Sequence, residues 1–146
     1  MSKFFYRMQN ILDIKMKLEE QAKNEYAIAQ AKLNEEEERR DRLIFRQGVY
    51  EQKARELAED VLDVPVILEN GNAINVMKHL VADQQIVVKR AEDFLEKRRV
   101  RLQEVMTERK THDKLKEKAF EAFMQEENAR ESKEIDELTS YTYGKK

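Results

Sequence analysis

His79 and His112 are the only imidazoles in the 146-residue chain, and imidazole is where acid–base or metal chemistry near neutral pH would begin. A di-iron centre in a helical protein needs a Glu three residues before its histidine, on the same helix face. Val76 and Arg109 hold those positions here. There is no Gly-x-x-x-x-Gly-Lys-Ser/Thr loop to cradle phosphates. The chain has no Cys, so thiolate nucleophiles and disulfides are excluded. No Ser-His-Asp set can be assembled on the helices described below. Asp and Glu number 30, but paired helices enclose no cavity that would shift their pKa values. The sequence therefore predicts no catalytic residue, no metal site, no cofactor and no small-molecule substrate. The run Glu35 to Glu38 reads as a solvated face. Lys97-Arg98-Arg99 could hold phosphates, but a facing acidic stretch accounts for it. The net charge of -2 argues against nucleic acid as the main partner.

What remains is helix. The chain is 40% charged, with 3 Gly and 1 Pro, the composition of long helices. From Phe5, steps of three and four pass through Met8, Leu12, Lys15, Glu19, Ala22, Tyr26, Ala29, Leu33, Glu36, Arg40, Leu43, Gln47, Tyr50, Ala54, Leu57, Val61 and Val64. Thirteen of these 18 positions are apolar or aromatic, and the phase never slips. That is a coiled-coil seam. It predicts helix one over about 3–64, capped by Ser2 and stopped by Pro65. Glu69-Asn70-Gly71-Asn72 is the clear turn signal, so the turn is expected at about 65–72. Asn72 would cap helix two, expected over about 73–141. Its seam runs Met77, Val81, Gln84, Val88, Ala91, Leu95, Arg98, Leu102, Val105, Arg109, His112, Lys116, Ala119 and Phe123, and the phase blurs after Val105. Gly144-Lys145-Lys146 reads as a loose tail. The expected fold is all-α: two long helices forming one antiparallel coiled-coil hairpin over 1–146.

Charge supports the pairing. A turn centred near residue 69 sets Glu19–Asp41, with eight acids and four bases, against Lys97–Ala119, with nine bases and four acids. It sets Lys3–Lys17, net +3, against Glu121–Ile135, net -3. Glu36, Arg40 and Arg98 in the seam would form a charged layer that fixes register at some cost in stability. One seam buries little, so a partner that covers more surface would stabilise the hairpin. Three groups of apolar residues do not reduce to the seam alone and read either as contact sites or as local packing. They are Ile44, Phe45, Ile86-Val87-Val88 and Phe94 in mid-chain; Val61 to Leu68 with Ile74 and Met77 at the tip; and Phe4, Tyr6, Ile11, Ile14, Phe120, Ile135, Leu138 and Tyr141 towards the termini. No apolar run reaches the roughly 18 residues of a membrane span. The charged N-terminus does not read as a signal peptide.

Three segments carry a family resemblance. Phe5-Tyr6-Arg7-Met8-Gln9-Asn10-Ile11-Leu12-Asp13-Ile14-Lys15 resembles the aromatic-Arg-hydrophobic-Gln opening of the flagellar export protein family FliJ. Arg109-Lys110 with Leu115-Lys116-Glu117-Lys118 is similar to its late basic segment. Glu131-Ser132-Lys133-Glu134-Ile135-Asp136-Glu137 is similar to its ending, and Asn70-Gly71 stands where the family turns. The resemblance implies a cytoplasmic stalk in a type III export apparatus, attached to the inner face of the membrane through that apparatus and monomeric when free. It implies three partners: the hexameric export ATPase, the cytoplasmic part of the membrane export gate, and export chaperones. Carried onto this chain, the ATPase contact is Arg7, Leu12, Lys15, Phe123, Lys133, Asp136 and Glu137. The gate contact is Phe45, Tyr50, Met77, Leu80, Val87 and Phe94, with Met77 or Leu80 where the family has an aromatic residue after its turn. Virulence type III secretion stalks share the plan. A helical export chaperone and a plain structural coiled coil are the competing readings.

Overall fold

The computed structural model describes residues 2–59 and 61–144. Its two helices are α1, Gln9–Glu59, and α2, Val64–Gly144. They pack against each other as an antiparallel hairpin. The three-four spacing decides which residues meet. On α1 every seam position from Leu12 to Leu57 is buried or half-buried. On α2 the same holds from Met77 to Phe123, so the expected blurring after Val105 does not occur. Leu12, Ala22, Ala29, Leu33, Met77, Val88 and Val105 are the buried apolar residues. Ala22 and Ala29 are the small members of this buried set, and larger half-buried side chains fill the rest of the seam.

The ends of the elements differ from expectation. Ser2 does not cap α1: its hydroxyl accepts a bond from Arg130 at 3.4 Å. Residues 2–6 are non-helical and carry Phe4 onto α2, with its ring centroid 5.2 Å from that of Phe120 and 5.5 Å from that of Phe123. The helix instead opens with backbone bonds from Ile11 and Leu12 to the carbonyl of Met8.

The turn is not at 65–72. It lies between Glu59 and Val64, and Asn70, Gly71 and Asn72 are inside α2. Asp63 is the cap: its carboxylate accepts from the Val66 amide at 3.4 Å, and its carbonyl accepts from the Ile67 amide at 3.0 Å. Pro65 thus falls in the first turn of α2, where a helix has no use for its missing N–H. A proline that looks like a stop for one helix is here a start for the next. The Asn-Gly signal is overridden because the α2 seam runs backwards through it. Val66, Ile67, Ala73 and Ile74 are half-buried, and Asn70 is buried, its amide donating to the Tyr50 carbonyl at 3.1 Å.

The register follows. Tyr50 meets Asn70, Glu36 meets Gln84 and Lys15 meets Glu108, about two heptads from the pairing that an Asn70-Gly71 turn would impose. The acidic and basic stretches Glu19–Asp41 and Lys97–Ala119 therefore meet only at one end, where Glu19 pairs with Arg109 and Glu25 with Arg98. Lys145 and Lys146 of the expected tail, and Asp60 near the expected end of helix one, lie outside the described residues.

Neither Gly48 nor Gly71 has positive φ, and an added Cβ at either would meet nothing within 4 Å. Gly71→Ala and Gly48→Ala should each stabilise the protein by about 0.5–1 kcal/mol, read as a rise in the urea midpoint. A turn at Gly71 would make Gly71→Ala destabilising instead.

The chain divides into two compact units. Unit 1 is Met1–Gln21 with Gln103–Lys146, and unit 2 is Ala22–Leu102.

Candidate partner-binding surfaces

In unit 1 the seam is closed by aromatic rings and ion pairs. Phe4 stands edge-on to Phe120 and tilted against Phe123. Lys15 Nζ pairs with Glu108 at 3.0 Å. The buried carboxylate of Glu19 accepts from the Arg109 guanidinium at 2.9 Å, which offsets the cost of burying its charge. Beyond Glu127 no residue of α2 is covered: 128–144 are all exposed. This tail is amphipathic. Ile135, Leu138 and Tyr141 recur at three-residue steps and are 62–66% exposed. Shallow grooves run along it, one lined by Glu134, Glu137, Leu138 and Tyr141.

All seven residues of the ATPase-contact expectation fall in unit 1, but they are not equivalent. Arg7, Lys133, Asp136 and Glu137 are exposed. Lys15 is half-buried and paired, and Phe123 is half-buried under Phe4. Leu12 is core, 3% exposed, and has no surface to offer a partner. Ile135, Leu138 and Tyr141 stay exposed and do not gather with Phe4, which meets Tyr6 and Phe120 of that group. The sequence signal that could have shown this is the seam itself, which loses its apolar steps after Phe123.

In unit 2 the seam contains a polar layer. The Gln84 amide donates to both the carboxylate and the backbone carbonyl of Glu36, and Lys32 pairs with the same carboxylate at 3.0 Å. The Gln84 bond first, then Lys32, hold the Glu36 carboxyl below the ordinary glutamate value of 4.5. Arg99 does the same for Glu96. A depressed carboxyl pKa contributes stability above its unfolded value and loses it as pH falls through the folded value. The urea midpoint should therefore be flat above about pH 5 and fall below 4.5. Glu36→Gln should make that fall shallower. Arg40, expected in the charged layer with Glu36, pairs with Asp41 instead, and Arg98 with Glu25 at 2.9 Å.

The six residues of the gate-contact expectation fall in unit 2. Phe45 is 73% exposed and lines a shallow groove on α1 with Gly48, Val49 and Gln52. Leu80, Val87 and Phe94 are exposed at seven-residue intervals along α2. They form a second stripe beside the seam, and Phe94 is capped by the Arg98 guanidinium 4.9 Å from its ring centre. Tyr50 is half-buried. Met77 is core, 4% exposed, because its step from Asn70 keeps it on the seam. Of Met77 and Leu80, Leu80 therefore has the surface. The register also sets Phe45 level with Asn75, far along the hairpin from Phe94, so the six do not make one patch. The seven-residue spacing of Leu80, Val87 and Phe94 was the available signal.

His79 is exposed and His112 half-buried on the seam. Among the described residues no group of His, Asp or Glu is placed to hold a metal ion, and no helix is long and apolar enough to cross a membrane.

No curated protein matches the chain. Among solved structures, a YscO homolog of Chlamydia trachomatis is similar, with 22% identity and a TM-score of 0.48 over 97% of this chain and 96% of that one. The family described as "Flagellar FliJ protein" matches residues 4–146. A match over so much of the hairpin, both helices and the turn included, shows that the chain belongs to the FliJ family.

Proposed function

We propose that the chain is a non-enzymatic stalk of the flagellar type III protein export apparatus. In this role it joins the hexameric export ATPase to the cytoplasmic part of the membrane export gate and promotes export of flagellar proteins. The observation that carries the reading is membership of the FliJ family over residues 4–146. The division of the surface supports it: the exposed amphipathic tail of α2 belongs to unit 1, and the Phe45 groove and the Leu80-Val87-Phe94 stripe belong to unit 2. A connector needs two such surfaces that can be occupied together. In this reading the ATPase takes the tail, through Lys133, Asp136, Glu137 and the apolar groups between them, with Arg7 near its base. The gate takes the exposed aromatics of unit 2. The protein acts in the cytoplasm, at the inner face of the membrane only through its partners. It is a monomer when free, and export chaperones are further partners.

Pull-down against the ATPase, the gate fragment and chaperones in turn tests the reading. Binding to the first two supports it; binding to a secreted substrate alone would make the protein a chaperone, and self-association alone a structural coiled coil. Phe45→Ala with Phe94→Ala should weaken gate binding by about thirtyfold or more if these are anchoring aromatics. The ATPase affinity and melting temperature should hardly change, because both rings are exposed. Unchanged gate affinity would show that the gate binds elsewhere.

A further inference from the structure

The hairpin carries two sets of instructions for where to turn, and they lie two heptads apart in register. One set is used: Asp63 caps α2, Pro65 sits in its first turn, and Glu36 meets Gln84. The other set is intact. The α1 heptad phase continues without a break through Val61 and Val64, yet both are exposed, at 88% and 59%. Asn70-Gly71-Asn72 is a turn sequence held in helix, and Gly71 has no packing reason to be glycine. Asn70 Oδ1 is buried without a hydrogen-bond partner, which costs stability in the register observed.

Sliding α2 by fourteen residues keeps every seam position in phase, because a coiled coil is unchanged by whole heptads. It moves Arg98 into the place of Gln84, so the buried carboxylate of Glu36 gains a cation in its own layer. It brings Val61 and Val64 onto the early seam of α2. It also mends the charge mismatch in unit 1. With Lys15 on Glu108, the stretch Lys3–Lys17, net +3, faces residues 106–120, which carry five bases and three acids. Fourteen residues on, it would face residues 120–134, with five acids and two bases. Against this, the shift gives up the first turns of α2, the Asp63 cap and the Arg109 cation on buried Glu19, with Phe123 taking the place of Arg109.

We infer that the hairpin has a second, less populated register, displaced by two heptads, in which the turn moves to the segment around Asn70-Gly71. The two registers expose different surfaces. Val61 and Val64 are presented in one and covered in the other, and a shorter stretch of α2 overhangs the start of α1 in the second. A partner that binds one of them better selects it.

Paired cysteines on this Cys-free chain test it. Stepping seven residues from Glu36 and Gln84 sets Leu43 opposite Met77. Leu43→Cys with Met77→Cys should close a disulfide quickly in a glutathione buffer and confirm that the variant folds. Leu57→Cys with Met77→Cys is about 20 Å out of reach in the observed register and in contact in the second. It should close measurably faster than Leu57→Cys with His79→Cys, which spans nearly the same chain length but lies off the seam. Gly71→Ala, which favours helix at 71, should slow the Leu57–Met77 closure about fivefold. Equal rates for the Leu57–Met77 and Leu57–His79 pairs would overturn the inference. Spin labels at exposed Arg42 and Lys78 leave the core untouched. They should show a minor distance longer than the main one by about 10–15 Å, because the roughly 20 Å slide adds at right angles to the separation of the helices, and a single distance would overturn it equally.

Discussion

Removing residues 131–144 should lower affinity for the export ATPase by about a hundredfold or more and leave the melting temperature within about 2 °C of the parent. Two facts make this contrast sharp. Every residue of the segment is exposed, so its removal uncovers no core and leaves the Arg130 contacts with Ser2 and Glu127 in place. The segment also holds Lys133, Asp136 and Glu137 together with Ile135, Leu138 and Tyr141, an apolar stripe on a helix face that nothing in the hairpin covers. An isolated helix of this length is marginal in water; seated in a partner it would bury the stripe and become fixed. Circular dichroism melts and ATPase titrations on the same protein read both halves of the expectation. A large fall in melting temperature would mean that the tail is a structural part of the hairpin.

Leu12→Ala should do the opposite. Leu12 is core, and large-to-small changes at such sites cost about 2–5 kcal/mol. In a chain of this size that is on the order of 6–15 °C in melting temperature. Any loss of ATPase binding should then track unfolding and be recovered by cooling, because Leu12 offers the partner nothing. Lys133→Glu is the matched contrast: it should weaken ATPase binding by about tenfold or more with no thermal shift, since Lys133 is exposed and reverses sign at the surface. Titration at two temperatures separates the two. A Leu12→Ala protein that melts normally yet fails to bind would return Leu12 to the surface.

The seam was legible almost residue by residue. Every α1 position from Leu12 to Leu57 and every α2 position from Met77 to Phe123 that the spacing singled out is covered, because burial of an apolar stripe is what makes a helix of such polar composition stable. The turn was not legible, for a reason that lies in the same periodicity. Heptads are blind to shifts of whole heptads, so the seam fixes which face is inside but not which layer meets which. That choice fell to local signals at the tip. Pro65 and Asn70-Gly71 pointed to one turn, and Asp63 with the same Pro65 made another. Flanking charge favoured the first, but exposed ion pairs contribute too little to decide. Exposure was legible for about half of the expected contact residues. Phe45, Leu80, Val87, Phe94, Lys133, Asp136 and Glu137 are exposed as a contact needs. Leu12 and Met77 are not, because a contact expected from resemblance takes no account of which residues the seam requires.

The central claim is that one molecule carries two partner surfaces that can be filled together. Immobilised export ATPase, incubated with the soluble gate fragment, measures this directly. Gate fragment should be retained only when the chain is added, at a ratio approaching one per chain bound. It should be lost on deletion of 131–144 and, separately, with Phe45→Ala and Phe94→Ala. If the gate fragment instead displaces the chain from the ATPase, the two partners share one surface and the protein is not a connector.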